Sequence, residues 1–312
     1  MEVIRIPGTH IPAGQPAAVV ALGFFDGVHL GHAALLAHTV EGAKRRSVLS
    51  AVFTFTEGGG MKAETPRLTT EEERLSLFAL AGIDRAYLFD FAAIRDLSPA
   101  AFVEDILIRG LSCVAAVCGF NFRFGAGGAG DADTLTRLFA AHALPVTVLP
   151  PYTVDGIPVS SSAIRAAIEA GDPERTVALL GRPFSISGEV VHGNALGRAI
   201  GYPTANVTPA PGIVLPARGV YAALCTVDGG APIPAVVNLG VRPTVAGAEA
   251  TLNCEAHLLC ESGDLYGRHL TLSLMRRLRG EIKFDSIADL RAQIAQDIAK
   301  VKEYFQWVNG RN

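Results

Sequence analysis

Residues 17–32 read Ala-Ala-Val-Val-Ala-Leu-Gly-Phe-Phe-Asp-Gly-Val-His-Leu-Gly-His. The run Ala17–Phe24 is apolar on both faces of an extended chain, as a strand buried inside a parallel sheet must be. Leu35, Leu36 and Val40 follow at helical spacing, so the glycines at 23, 27 and 31 sit in a strand–turn–helix corner. Such glycines let backbone approach a ligand closely, and the helix start offers unpaired N–H groups at a positive dipole end. His29 and His32 lie three apart and can face one point at that helix mouth. Two imidazoles beside backbone donors suit a phosphate whose charge grows during in-line displacement. A metal pair is the weaker reading, because no third ligand stands at matching distance. The plain alternative is a corner with solvent-facing histidines.

Outward from this corner, Val48–Phe55, Ala86–Phe91, Cys113–Gly119 and Val146–Leu149 read as further strands. Helical patterns alternate with them. Thr70 and Glu73 form a capping box before one helix, which Gly82 closes; Ser98-Pro99 opens another, ending at Gly110. This alternation predicts an α/β unit with a mostly parallel sheet, whose ligands bind at the carboxyl ends of the strands. Two short helices follow, one from the serine run Ser160–Ser162 to Gly171, the next capped by Asp172 with Pro173 and ended by Gly181. Beyond Gly181 the pattern changes. Segments 184–191, 220–227, 233–239, 251–259 and 268–275 are short and alternating, which predicts an all-β antiparallel barrel or sandwich. Ile287, Leu290, Ile294, Ile298, Val301, Phe305 and Val308, capped by Ser286, predict a closing amphipathic helix. The expected domains are therefore 1–183 and 184–312.

The 312 residues carry 27 Lys plus Arg against 30 Asp plus Glu, a formal charge of −3, which gives no reason to expect nucleic acid or an anionic membrane as partner. No apolar run is long enough for a membrane span, and the first ten residues lack a secretory pattern, so a cytoplasmic location is expected. Five cysteines at unpaired spacings read as buried thiols rather than a disulfide framework or zinc site.

Two more stretches carry chemistry. Hydroxyls and helix N–H groups gather at Ser160–Ser162, with Arg165 one turn on, as a second phosphate arm or an ordinary helix cap. Residues 186–206 run from a strand through Gly188, Gly193, Gly197 and Gly201 to Pro203-Thr204-Ala205-Asn206. Glycines let a loop wrap phosphates, and Thr204 and Asn206, two apart on one strand face, are reasonable hard-cation ligands; a plain barrel turn is the alternative. Glu255 and His257 share a strand face inside an apolar run, as a wet functional pair or as an exposed edge pair. Arg276, Arg277 and Arg279 read on their own as solvated charges before the last helix.

The stretch GFFDGVHLGH resembles the HxGH signature of nucleotidyltransferases, in the form used by prokaryotic bifunctional riboflavin kinase/FAD synthetases. The resemblance continues through RLTTEEERLSLFALAGID, LSPAAFVEDIL and GFNFRFG, and residues 181–206 are similar to the flavokinase signature ending in GRxxGxPTAN. It spans residues 17 to 305. It implies riboflavin, FMN and ATP as substrates, with Mg²⁺ as cofactor. His29 and His32 would act on the ATP phosphates, together with Gly23, Phe25, Gly27, Gly31, Ser161, Ser162 and Arg165; Asn121 would line the nucleotide or flavin pocket. In the kinase half Glu255 would be the catalytic base. There Gly188, Gly193, Gly197, Thr204 and Asn206 would hold ATP, with Thr204 and Asn206 also on the metal, and Arg279 would serve the flavin or a phosphate. The chain departs from the family at Gly58–Gly60, at Ala126–Gly130, at Ser162 in place of Thr and at Cys260 in place of Asp. An enzyme competent only as a kinase, or a flavin-binding regulator on an inactive scaffold, are the alternatives. Oligomeric state is not legible.

Overall fold

A computed structural model describes residues 1–57, 65–192, 197, 200–242, 251–259 and 263–309. Gly58–Gly60, Gly193, Arg198 and Cys260 lie outside these residues, as does the side chain of Val308. The chain condenses into two compact units, Met1–Ser161 and Ser162–Asn312.

The first unit is a six-stranded parallel sheet in the order β1-β4-β3-β2-β5-β6. Its strands are β1 (Glu2–Ile6), β2 (Ala18–Leu22), β3 (Leu49–Phe55), β4 (Arg85–Phe89), β5 (Cys113–Gly119) and β6 (Val146–Leu149). All five residues of β2 are buried, as its unbroken apolar run requires. From β2 the chain goes by helix α1 (Leu30–Arg46) to β3 and β4 on one side, then returns to place β5 on the other. The order therefore reverses between β2 and β5, the crevice where open α/β sheets take ligands. The Thr70–Glu73 capping box forms as expected and opens helix α2 (Glu71–Leu80). Ser98 caps Pro99–Ala101, but the run then widens into a π-helix over Phe102–Gly110. Phe91, expected to end β4, instead opens a one-turn helix because the Asp90 carboxylate accepts from the Ala92 N–H. Strand β1 and helix α3 (Ala132–Ala140), capped by Asp131, were not legible in the sequence pattern. A two-residue hairpin, β7 (Thr153–Val154) with β8 (Ile157–Pro158), follows β6.

The second unit is a closed antiparallel barrel, β10-β13-β12-β11-β14-β9, completed by pairing of β9 with β10. Its strands are β9 (Phe184–Val191), β10 (Ala205–Val207), β11 (Gly219–Val227), β12 (Ile233–Arg242), β13 (Thr251–Leu258) and β14 (His269–Arg279). Closure removes exposed sheet edges. Tyr221, Ala223, Cys225, Val237, Leu239, Leu270 and Leu272 are buried at alternate positions along their strands. On the opposite face of β11, Ala222 packs with Val301 and Phe305 of the terminal helix α6 (Ile287–Asn309). The apolar stripe of that helix is only partly covered: Ile287 is exposed. Strand β14 continues four residues past its expected end at 275, so Arg276, Arg277 and Arg279 belong to the strand and not to a charged loop.

The units divide earlier than the change in sequence pattern at 183. Helices α4 (Ser161–Ala170) and α5 (Pro173–Leu180) pack against the barrel: the Ala217 N–H donates to the Ile168 carbonyl at 3.2 Å, and Ile168, Thr176, Tyr221 and Leu274 border one small cavity. The four described cysteines are all free and buried, and burial pushes the thiols of Cys113, Cys225 and Cys254 up to about 12 and of Cys118 up to about 11. No helix of the described residues is long and apolar enough to cross a membrane.

Two candidate active sites

The corner after β2 is built from backbone. Phe25 (φ 60°), Gly27 (φ 81°) and Val28 (φ 40°) are all left-handed within four residues, a concentration of strain that only tight surroundings sustain. Those surroundings are specific. The Asp26 carboxylate accepts from the Leu68 N–H at 2.8 Å, the Thr69 hydroxyl accepts from the Gly27 N–H at 3.2 Å, and the Ser161 hydroxyl donates to the Asp26 carbonyl at 3.0 Å. Arg74, only 3% exposed, donates to the carbonyls of Phe24 at 3.0 Å and Phe55 at 2.6 Å, tying the ends of β2 and β3 together. Burial lowers its pKa from the usual arginine range, with Glu71, Glu57 and Asp26 opposing that shift. A side chain at Gly27 would meet Leu68 at 2.6 Å, and one at Gly31 would meet the His29 ring at 3.2 Å.

His29 is the N-cap of α1: its Nδ1 accepts from the His32 N–H at 3.3 Å. The neutral ring therefore carries its proton on Nε2. The two imidazoles stack, centroids 3.7 Å apart, and His32 also packs edge-on against Phe25. The solvent-facing alternative fails, since His29 is buried and His32 has a buried Nδ1 without a hydrogen-bond partner among the described residues. Burial, with the neighbouring His29 adding to it, holds the His32 pKa well below the ordinary histidine value. Phe25 itself has a left-handed backbone, and its buried ring packs edge-on against Phe78. Gly23 leaves room for that ring, which a Cβ would meet at 3.1 Å. Asn121 is exposed just past β5, on the other side of the β2/β5 crevice. Ser162 is exposed and Arg165 half-buried on α4. The glycines of 126–130 answer to local geometry: Gly127 and Gly128 have positive φ, and a Cβ on Gly130 would meet the Phe124 ring at 2.7 Å.

The barrel site is built from side chains on the face opposite its interior. Register aligns Asn206 with Glu255, Glu255 with Asn238, Asn238 with Val220, and Val220 with Arg279. These five residues form one row across five strands and border a cavity of about 350 Å³, within the range of small-molecule sites. Glu255 is half-buried and accepts from the Asn253 amide at 2.7 Å. His257 donates from Nδ1 to the Pro203 carbonyl at 2.8 Å, since a carbonyl can only accept. The exposed-edge alternative fails: β13 pairs on both sides and both side chains border the cavity. Thr204 and Gly197 share it, and a Cβ on Gly197 would lie 2.3 Å from the Tyr202 carbonyl and 3.1 Å from the Thr204 hydroxyl. Gly188 lies elsewhere, in the middle of β9, where a Cβ would come 2.0 Å from the Thr208 carbonyl. Arg279 is held by Asp297, correcting the reading of it as a solvated charge. Asn238 and Asp297 also border the cavity and were not expected there. The available signals were a lone amide in an apolar strand and a carboxylate spaced three from Ile294 and four from Val301, on the apolar face of α6.

Each unit thus presents donors and bases of the kind phosphoryl chemistry uses, and the class so defined is a two-site transferase. Comparison with known proteins is specific. The FAD synthetase family model matches residues 11–163 and the riboflavin kinase model residues 180–305. The bifunctional riboflavin kinase/FMN adenylyltransferase of Escherichia coli strain K12 is 39% identical over 310 residues, 98% of each chain. That of Pseudomonas fluorescens is 40% identical over 310 residues, 97% of each. A crystal structure described as a macrolide-efflux protein from Streptococcus pneumoniae shares the fold, with TM-score 0.87 and 29% identity, covering 97% of this chain and 99% of that one. The chain belongs to the bifunctional riboflavin kinase/FMN adenylyltransferase family, and both of its catalytic domains are present.

Proposed function

We propose that this chain converts riboflavin to FAD in two steps with FMN passing between them, and the observation that carries the first step is the five-strand row on the barrel's outer face. ATP is the co-substrate of both steps. In the barrel, Glu255 takes the proton of the ribityl 5′-hydroxyl as its oxygen bonds to the γ-phosphorus and ADP leaves. Thr204 and Asn206 hold the nucleotide. Their side-chain oxygens are the hard donors that Mg²⁺ accepts, and so would be its ligands. When bound, the ion withdraws charge from the phosphate oxygens of ATP. Gly197 brings loop backbone against Thr204, closing the nucleotide end of the cavity.

In the α/β unit the phosphate of FMN attacks the α-phosphorus of a second ATP, releasing pyrophosphate. His29 donates from Nε2 to a phosphate oxygen, its Nδ1 being engaged by the His32 N–H. His32, kept neutral by burial, donates without first losing a proton to solvent. The N–H groups opening α1 add their dipole, and the Ser161, Ser162 and Arg165 arm serves the leaving phosphates. Asn121, across the crevice, contacts the base or the flavin. The division by activity falls at residue 183, where the kinase strands begin. Free buried thiols match a reducing cytoplasm, and near-neutral charge matches small-molecule partners rather than nucleic acid or membrane.

The test is incubation with riboflavin, ATP and Mg²⁺ followed by separation of the flavins. Wild type yields FMN and FAD. Absence of FAD from supplied FMN would reduce the protein to a kinase, and absence of riboflavin-dependent ADP release would leave a flavin binder.

A further inference from the structure

Strand β10 is three residues long, and its ladder to β13 stops at Ala205, which pairs with Ala256. Continuing that register by one residue sets Thr204 opposite His257, on the face that Asn206 and Glu255 share. Pro203, next in line, has no N–H with which to prolong the ladder. Its carbonyl is taken by a side chain instead: the His257 Nδ1 donates to it at 2.8 Å, across 54 residues of sequence. The same imidazole packs edge-on against Tyr202, centroids 5.8 Å apart and planes at 87°. Tyr202 in turn donates its N–H to the Gly197 carbonyl at 2.7 Å. One ring thus holds two successive residues immediately before Thr204, and Tyr202, Thr204, Glu255 and His257 all border the barrel cavity.

We propose that His257 is a positioning residue for ATP in the kinase step: its imidazole takes over where the β10–β13 ladder ends and fixes the Pro203 carbonyl, and through it the Thr204 hydroxyl, relative to Glu255. The base and this clamp stand two residues apart on one strand that is paired on both sides. A single rigid element therefore sets where the nucleotide-holding hydroxyl lies with respect to the proton acceptor, and small misplacements of such groups are costly to phosphoryl transfer. Of the two contacts His257 makes, the donor is the one that matters: a hydrogen bond at 2.8 Å fixes a point of the chain, whereas an edge-on ring contact leaves it free to slide. The inference rests on the barrel's being the riboflavin-phosphorylating site.

The test compares wild type with H257F, H257A and H257N. H257F keeps a flat ring against Tyr202 and removes the donor; H257A removes both and guards against misfit of the larger ring. H257N loses the ring but carries an amide N–H on its Cγ, as the imidazole carries Nδ1–H. Each variant is assayed for kinase kcat and KM towards ATP and towards riboflavin, for FAD formation from supplied FMN as an internal control, and for thermal unfolding. Amide hydrogen exchange over residues 203–207 reads the clamp without turnover. The expected result in H257F and H257A is kcat/KM for ATP lowered about tenfold, with riboflavin KM, FAD formation and the melting temperature unchanged. Exchange over 203–207 should be faster in both. H257N should recover to within about threefold of wild type in rate and should restore slow exchange. A wild-type kcat/KM for ATP in H257A, an H257N variant as impaired as H257A, or a loss shared equally by ATP and riboflavin would overturn the inference. Wild type without riboflavin-dependent ADP release would instead sink the kinase reading beneath it.

Discussion

The two units build phosphate chemistry by opposite means. In the α/β unit the proposed site is a contiguous run, Gly23–His32, whose backbone is bent by three left-handed residues and whose two imidazoles are held by their own helix start. In the barrel it is a row of side chains drawn from five strands, aligned by register alone. A site made of local backbone should be intolerant of backbone change and tolerant of distant substitution. One made of register should be the reverse, losing chemistry side chain by side chain while the barrel stays folded.

The sharpest break between the units comes from Glu255. In E255Q the amide keeps the bond from Asn253 but cannot take a proton. Riboflavin phosphorylation should fall by about 10²–10⁴ while FAD formation from supplied FMN holds, as measured by product separation. Next in size is H29N. Asparagine is a good N-cap and still accepts from the His32 N–H, so only the Nε2 donor is lost. Adenylylation should fall by roughly 10²-fold, with FMN accumulating and kinase turnover unchanged.

Glycine replacements sharpen the contrast further. Gly27→Ala puts a Cβ 2.6 Å from Leu68 at φ 81°, and should cost the α/β unit about 1–3 kcal/mol in thermal or denaturant unfolding. Gly197→Ala meets the Tyr202 carbonyl in a loop, and should raise the ATP KM of the kinase several-fold with little change in barrel stability.

The smallest effect is in pH. His32 stays neutral in the folded unit below the pH at which an unfolded histidine, near 6.5, takes up a proton. The unfolded state then binds more protons, so stability of the α/β unit falls as pH drops through about 6.5 and recovers above it. H32N should flatten that slope, while the barrel's unfolding serves as the reference.

The same contrast explains what was legible. The corner and both capping motifs are local, so residue order alone announced them, as it did most strands of both units, β1 excepted, to within a few positions. The row is not local. Nothing in the order of residues says that Asn238 stands beside Glu255, or that β14 runs on to bring Arg279 into line. Phe25 and Gly188 show the converse limit: both sit inside signature stretches, yet packing against Phe78 and close approach to Thr208 account for them. The π-turns of 102–110 and strand β1 depend on tertiary packing that overrides local preference.

We propose that each unit carries out one of the two steps by itself. It is tested most directly by mixing E255Q with H29N and following FAD formed from riboflavin and ATP. Each variant alone should make FAD at no more than about a hundredth of the wild-type rate, and the mixture should restore it, with a lag while FMN accumulates. FAD from H29N alone at the wild-type rate, or a mixture as inactive as its parts when FMN is seen to build up, would contradict it.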